Sequence, residues 1–240
     1  LINSGVNVNI IDSEKISIFS NACMYGNKKI VNLLIEKGAD INAVDNYRNT
    51  PLFSAIEKDN KEVVEALISK GAEINIYNGA WFTPLANAAF YNSKNVIQLL
   101  IDNGAEIEKG HSYFNSAYTP LLVACSKNSK EALEILIKNG ASLDARGKEG
   151  VTPLMFAAAG NGVEVMKILL ETNPKMDIDA SSDSTYNALL YAVISDAKNA
   201  VEFLISKGAD MEYENGSGKT ALMLATSKNK KEIANLLIKK

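Results

Sequence analysis

Apolar and polar positions along this chain recur over an interval longer than any single helix or strand would give, and the pattern that opens at Thr50 opens again at Thr83. The stretch from Thr50 to Tyr77, TPLFSAIEKDNKEVVEALISKGAEINIY, is one such unit. It opens with Thr-Pro-Leu. Thr is a good helix N-cap, and Pro at the first helical position gives up only an N–H that has no partner there. A short apolar stripe follows and predicts a short helix ending at Asp59-Asn60. A longer stripe, Val63, Val64, Ala66, Leu67 and Ile68, predicts a second helix stopped by Gly71. A polar stretch then leads to the Thr-Pro-Leu of the next unit.

Full units open at Ser17, Thr50, Thr83, Thr119, Thr152, Asn187 and Thr220. The openings are evenly spaced except for two wider gaps, which mark insertions before Thr119 and before Asn187. One place in every unit is Leu: Leu34, Leu67, Leu100, Leu136, Leu169, Leu204 and Leu237. Another, in the first stripe, is always Ala, small enough to let neighbouring helices approach. At the end of that stripe come Gly26, Asp59, Asn92, Asn128, Asn161, Asp196 and Asn229. Only residues that tolerate a left-handed backbone occur there, which predicts that the first helix stops and turns at this point. Gly38, Gly71, Gly104, Gly140 and Gly208 stop the second helix, and Asn173 departs, just before Pro174.

The runs TPLFSA, TPLANA, TPLLVA and TPLMFA, followed by LLIEKGADINAVD or LLIDNGAEIE, resemble ankyrin repeats. The resemblance covers essentially the whole chain. It implies an all-α fold with short β-turn fingers, a solenoid of stacked helix-turn-helix units. The chain reads as one domain, 1–240. Residues 1–14 form the tail of a truncated repeat, and further repeats lie at about 15–44, 48–77, 81–110, 117–146, 150–181, 185–214 and 218–240. Leu1 to Asn9 matches the end of a unit, so that unit's first helix is expected upstream of Leu1. The His that often follows Thr-Pro-Leu in the family is Phe53, Ala86, Leu122, Met155, Leu190 and Met223 here. Ser17 and Asn187 are weak openings. The lysine-rich end, Lys228 to Lys240, reads as a solvated capping repeat, with a basic recruitment patch as the alternative.

Composition narrows the function. Apolar residues make up 47% of the chain, so it is not disordered. A net charge of −3 with scattered Lys and Arg argues against nucleic acid as the partner. No apolar run approaches the roughly 18 residues of a membrane span. Cys23 and Cys125 occupy the same place in units three apart, too far to bridge, and read as small buried hydrophobes in a reducing compartment. A cytoplasmic monomer is therefore the expectation.

Three stretches look like chemistry and read otherwise. Gly216-Ser-Gly-Lys-Thr220 lacks the first Gly of a phosphate-binding loop, because position 213 is Tyr213, and Glu212 and Glu214 would repel phosphate. His111, the only histidine, lies in the insertion beside Ser112 with no acid at a telling spacing. Asp177, Asp179 and Asp183 lack the central Gly and closing Glu of a calcium loop. No catalytic constellation, cofactor site or metal site is expected.

Function should then come from the surface. In ankyrin-type repeats the concave face is built from the finger tips and the exposed side of the first helix. Carried onto this sequence, those positions give Met24, Tyr25, Tyr47, Tyr77, Phe82, Phe90, Tyr91 and Tyr118, and the expected partner face adds Arg48 and Trp81 from neighbouring fingers and Tyr113 from the insertion. Phe114 joins them from the insertion, and Trp81 and Phe114 are the rings most suited to stiffening the fingers instead. Tyr, Trp and Arg bury large area at little entropic cost, the chemistry of binding hot spots. The expected function is a non-catalytic scaffold that binds another protein. The alternative is the targeting or substrate-recruiting part of a longer enzyme or secreted effector.

Overall fold

The computed structural model describes residues 7–110 and 118–239. Within them the chain forms helices in pairs: α1 (Ile18–Tyr25) with α2 (Lys28–Glu36), α3 (Pro51–Glu57) with α4 (Lys61–Ser69), α5 (Pro84–Tyr91) with α6 (Lys94–Asp102), and α7 (Pro120–Lys127) with α8 (Lys130–Lys138). The series continues with α9 (Pro153–Ala159) and α10 (Val163–Thr172), α11 (Ala188–Ile194) and α12 (Lys198–Ser206), and α13 (Ala221–Ser227) and α14 (Lys231–Ile238). Odd-numbered helices stack on one another in an inner row, and even-numbered helices in an outer row. The result is an all-α solenoid. No strand forms among the described residues, and one isolated bridge joins Ile11 to Ser17.

The periodic residues are the core. Leu67, Leu100, Leu136, Leu169 and Leu204 are wholly buried, as are Ala55, Ala88, Ala124, Ala157, Ala192 and Ala225. Each buried Leu contributes roughly 1.5–3 kcal/mol, so the stack rests on many equal increments spread along its length. The openings cap the inner helices as their chemistry requires. Thr83, Thr119, Thr152 and Thr220 each accept the backbone N–H three residues on, and the weak openings Ser17 and Asn187 do the same. Thr50 does not, and its Oγ1 is buried without a partner.

The turn after each inner helix is left-handed at Asp59, Asn92, Asn128, Asn161, Asp196 and Asn229, with φ between 51° and 61°. Gly26 differs from the expectation. Its φ of −86° and ψ of −175° are extended, and a Cβ there would lie 2.3 Å from the carbonyl oxygen of Ala22. The first unit thus uses Gly for close approach to the end of α1, and any residue could adopt the backbone angle.

These left-handed residues also join neighbouring units. The Asp59 carboxylate accepts from Asn95 N at 3.0 Å and Val96 N at 3.2 Å, capping α6 of the next unit. Asn92 caps α8 through Ala132 N at 3.0 Å, and Asn161 caps α12 through Ala200 N at 2.9 Å. A second ladder runs along the fingers. Asn75 donates to the Gly104 carbonyl at 2.9 Å and accepts from Glu106 N at 3.0 Å, and Asn9 and Asn42 bridge their next units in the same register.

Candidate functional site

The fingers between α2 and α3 and between α4 and α5 are tight turns closed by one side chain each. Asp45 Oδ1 accepts from Tyr47 N and Asn49 N, both at 2.8 Å, while Arg48 takes a left-handed φ of 59°. Asn78 Oδ1 accepts from Ala80 N and Phe82 N, both at 3.0 Å, while Trp81 takes a φ of 62°. The tips are tied together, with Gly79 N donating to the Tyr47 carbonyl at 2.7 Å and Asn78 Nδ2 to Asn49 Oδ1 at 3.0 Å. A rigid wall of two fingers therefore faces the exposed side of α1, α3 and α5.

Between wall and helices lies a groove of about 490 Å³. Met24, Tyr25, Tyr47, Phe82, Phe90 and Tyr91, drawn from three units, all line it. Phe82 and Phe90 pack with ring centroids 5.7 Å apart, and Phe90 meets Tyr91 edge-on at 5.0 Å. Tyr25, Tyr47 and Tyr91 keep 74%, 59% and 44% of their surface exposed, so these rings still have area to bury against a partner. Burial, reinforced by the charge of Glu57 and a hydrogen bond to it, holds the Tyr91 phenol above its ordinary pKa. Lys58 Nζ lies 3.4 Å from Glu57 Oε1 and 5.6 Å above the Tyr25 ring, and Lys127 Nζ sits 4.3 Å above Phe90.

The other expected face residues lie elsewhere. Arg48 and Trp81 are exposed at the finger tips. Tyr77 is half-buried, and its hydroxyl donates to the Gly110 carbonyl at 3.2 Å, which braces one finger against the next. Tyr118 packs edge-on against Phe156 at 6.0 Å in a second, largely apolar hollow of about 220 Å³ that also includes Met155 and Tyr191. Tyr113, together with Phe114 and His111, falls outside the described residues.

Two of the stretches that resembled chemistry take structural roles. Gly216 to Thr220 is a finger turn closed by Asn215, whose Oδ1 accepts from Ser217 N and Lys219 N, and Thr220 caps α13. Asp179 accepts from Asp210 N at 3.1 Å and from Asn187 Nδ2 at 3.1 Å, taking a place in the finger ladder. Burial raises both thiols, that of Cys23 to about 12, which suppresses the nucleophilic thiolate. Among the described residues, no three His, Cys, Asp or Glu side chains gather as a metal site. No described helix is long and apolar enough to cross a membrane.

A family model for ankyrin repeats matches residues 1–78, 79–147, 143–215 and 175–240, which together span the chain. This chain belongs to the ankyrin repeat family. Among solved structures, the ankyrin array is similar to the crystal structure of the human ASB11 ankyrin repeat domain. The two share 26% identity with a TM-score of 0.78 over 92% of this chain and 98% of that one. Comparison with curated proteins returns no match. Ankyrin repeats generally serve as protein–protein interaction modules and are typically non-enzymatic. In this ankyrin array the groove also uses Asn21, Ser54 and Asn87, four residues after their openings, which the sequence reading left out. Phe156 and Tyr191 occupy the same place in the second hollow. Their signal was available: this position varies in chemistry from unit to unit while the Ala next to it does not.

Proposed function

We propose that this ankyrin array is a non-catalytic scaffold that captures a polypeptide partner in the groove over its first three inner helices. The observation that carries the reading is the convergence of six apolar or aromatic side chains from three units on one opening of about 490 Å³. Phe82 and Phe90 also pack against the core, but Tyr25, Tyr47 and Tyr91 stay exposed and core packing does not require them there. Aromatic side chains on a rigid wall lose little entropy on binding. The triple variant Tyr47→Ala, Phe82→Ala and Tyr91→Ala should lose partner capture in affinity purification from native tissue while keeping its helical circular dichroism and a cooperative melt. Undiminished capture of the same partner by the folded variant would place the binding face elsewhere.

A further inference from the structure

Asn87 is the unusual group in the groove. It is 7% exposed as a residue and lines the floor, where its side-chain amide opens into the groove and makes no hydrogen bond to a described residue, whereas its neighbours Asn49 and Asn78 are both bonded. An amide at the floor of a groove is left to water until a ligand takes its hydrogen bonds. It offers one donor and one acceptor side by side, the complement of a single peptide unit in an extended chain. A helical ligand would have spent those backbone groups internally.

Charge supplies the second constraint. The groove lining includes the carboxylates of Asp45 and Glu57 and no Lys, Arg or His. Asp45 is committed to its own turn, so Glu57, paired with Lys58 and Tyr91, is the carboxylate a cationic ligand would take over. The cations nearby, Lys58, Lys127 and Arg48, lie outside the lining. Two of them show what the walls attract. Lys58 bridges Glu57 and the Tyr25 ring, and Lys127 covers Phe90. Ring faces beside a carboxylate attract an ammonium or guanidinium group, and Arg more strongly than Lys.

We propose that the groove takes an extended, basic peptide segment whose backbone pairs with Asn87 and whose Arg or Lys side chain enters between Tyr25 and Tyr91 beside Glu57, displacing Lys58. Lys58 is then an internal competitor, and its removal should strengthen binding. This deepens the scaffold reading and rests on the groove being the binding face.

A phage-displayed library of random twelve-residue peptides, selected on the purified full chain, tests both layers. Enriched peptides would be resynthesised with a fluorophore and titrated by anisotropy. Expected are peptides with an Arg or Lys flanked by apolar residues. Their affinity should fall about tenfold in Glu57→Gln and rise about threefold in Lys58→Ala, the range expected of partly exposed ion and ring contacts. Acidic or charge-indifferent peptides that lose binding to the Tyr47/Phe82/Tyr91 triple Ala variant would overturn this inference and leave the groove as the site. Weaker binding to Lys58→Ala would overturn it equally. Peptides that bind the triple variant as well as the parent, or a selection that enriches none, would overturn the groove itself.

Discussion

Asp59 offers the sharpest test of how neighbouring units are joined. Its backbone is left-handed, with φ at 51°, and its carboxylate accepts the Asn95 and Val96 amides and the Asn95 side chain at 2.6 Å. The residue preceding α6, Ser93, does not cap it, because its hydroxyl donates to the Ile56 carbonyl at 2.7 Å instead. Asp59 is therefore the side chain that caps α6, supplied by the previous unit. Removing a cap costs about 0.5–2 kcal/mol. Holding Ala in the left-handed region costs roughly 1–2 kcal/mol more. Asp59→Ala should thus lose about 1.5–4 kcal/mol. Asp59→Gly keeps the backbone at ease and should lose only the cap, about 0.5–2 kcal/mol. Asp59→Asn keeps the acceptor and should lose less than about 1 kcal/mol, since Asn92 and Asn161 do the same work with an amide. Urea unfolding followed by far-ultraviolet circular dichroism gives the order of the series. Hydrogen exchange at Asn95 and Val96 localises the effect, which matters because a repeat array opens unit by unit. If Asp59→Gly is as stable as the parent and those amides stay protected, the inter-unit cap carries no weight and the reasoning fails.

Two further substitutions probe the fingers. Asp179 stands in the ladder where Asn9, Asn42 and Asn75 stand in other units, and burial holds its carboxyl above the ordinary range, with Asp210 and Asp177 adding repulsion. The fold therefore favours the protonated acid, a contribution present at low pH and lost as pH rises through the raised pKa. Asp179→Asn should stabilise the array at neutral pH by about 1 kcal/mol, the amide gaining the Gly208 carbonyl, and the gain should vanish in melts taken below the carboxylate range; a gain independent of pH would contradict this. At Gly79 an added Cβ would lie 2.5 Å from the Tyr47 carbonyl oxygen, which is backbone and cannot yield alone. Gly79→Ala should part the two fingers, cost about 1–3 kcal/mol, and weaken peptide binding in the groove; unchanged binding despite a lower melt would show that the finger wall is not part of the site.

The repeat and its core were legible because packing imposes the same demand on every unit. Leu at one place and Ala at another recur whatever the function. The caps were legible from Thr-Pro for the same reason, although Thr50 shows that the residue type does not guarantee the bond. The left-handed turns were legible as conformations but only half explained. At Asp59, Asn92 and Asn161 the side chain caps a helix of the next unit, which Gly, equally easy in the backbone, has no side chain to reach. That choice depends on a neighbour in the following unit, Val96 for Asp59 and Ala132 for Asn92, which no local pattern displays. The groove was partly legible. Six of its residues follow from non-repeating aromatic or apolar side chains at surface positions, whereas Asn87 looked like one more polar residue in an inner helix. Its lack of a partner is a property of the assembled floor. Tyr77, also an unmatched aromatic, turned out to brace a finger, so non-repetition marks candidates without assigning their role.

Backbone strain separates the two halves of the array by a route independent of the aromatics. Among the described residues the same finger-tip position is left-handed in each finger, and Gly fills it at the tips before α9 and α13, at Gly150 and Gly218. In the fingers that wall the groove it is filled by Arg48 and Trp81, and in the finger before α1 by Lys15. A side chain there costs roughly 1–2 kcal/mol that Gly would avoid. Thr185 explains itself, because its hydroxyl accepts from the Gly216 amide and donates to the Ser184 carbonyl. Arg48 makes no comparable side-chain bond among the described residues, and its backbone N–H donates to the Asp45 carbonyl at 3.0 Å at the edge of the groove. Strain that the fold does not need is found where a side chain serves a function. The left-handed tip at Arg48 is therefore consistent with our proposal that the binding face lies on the first three units.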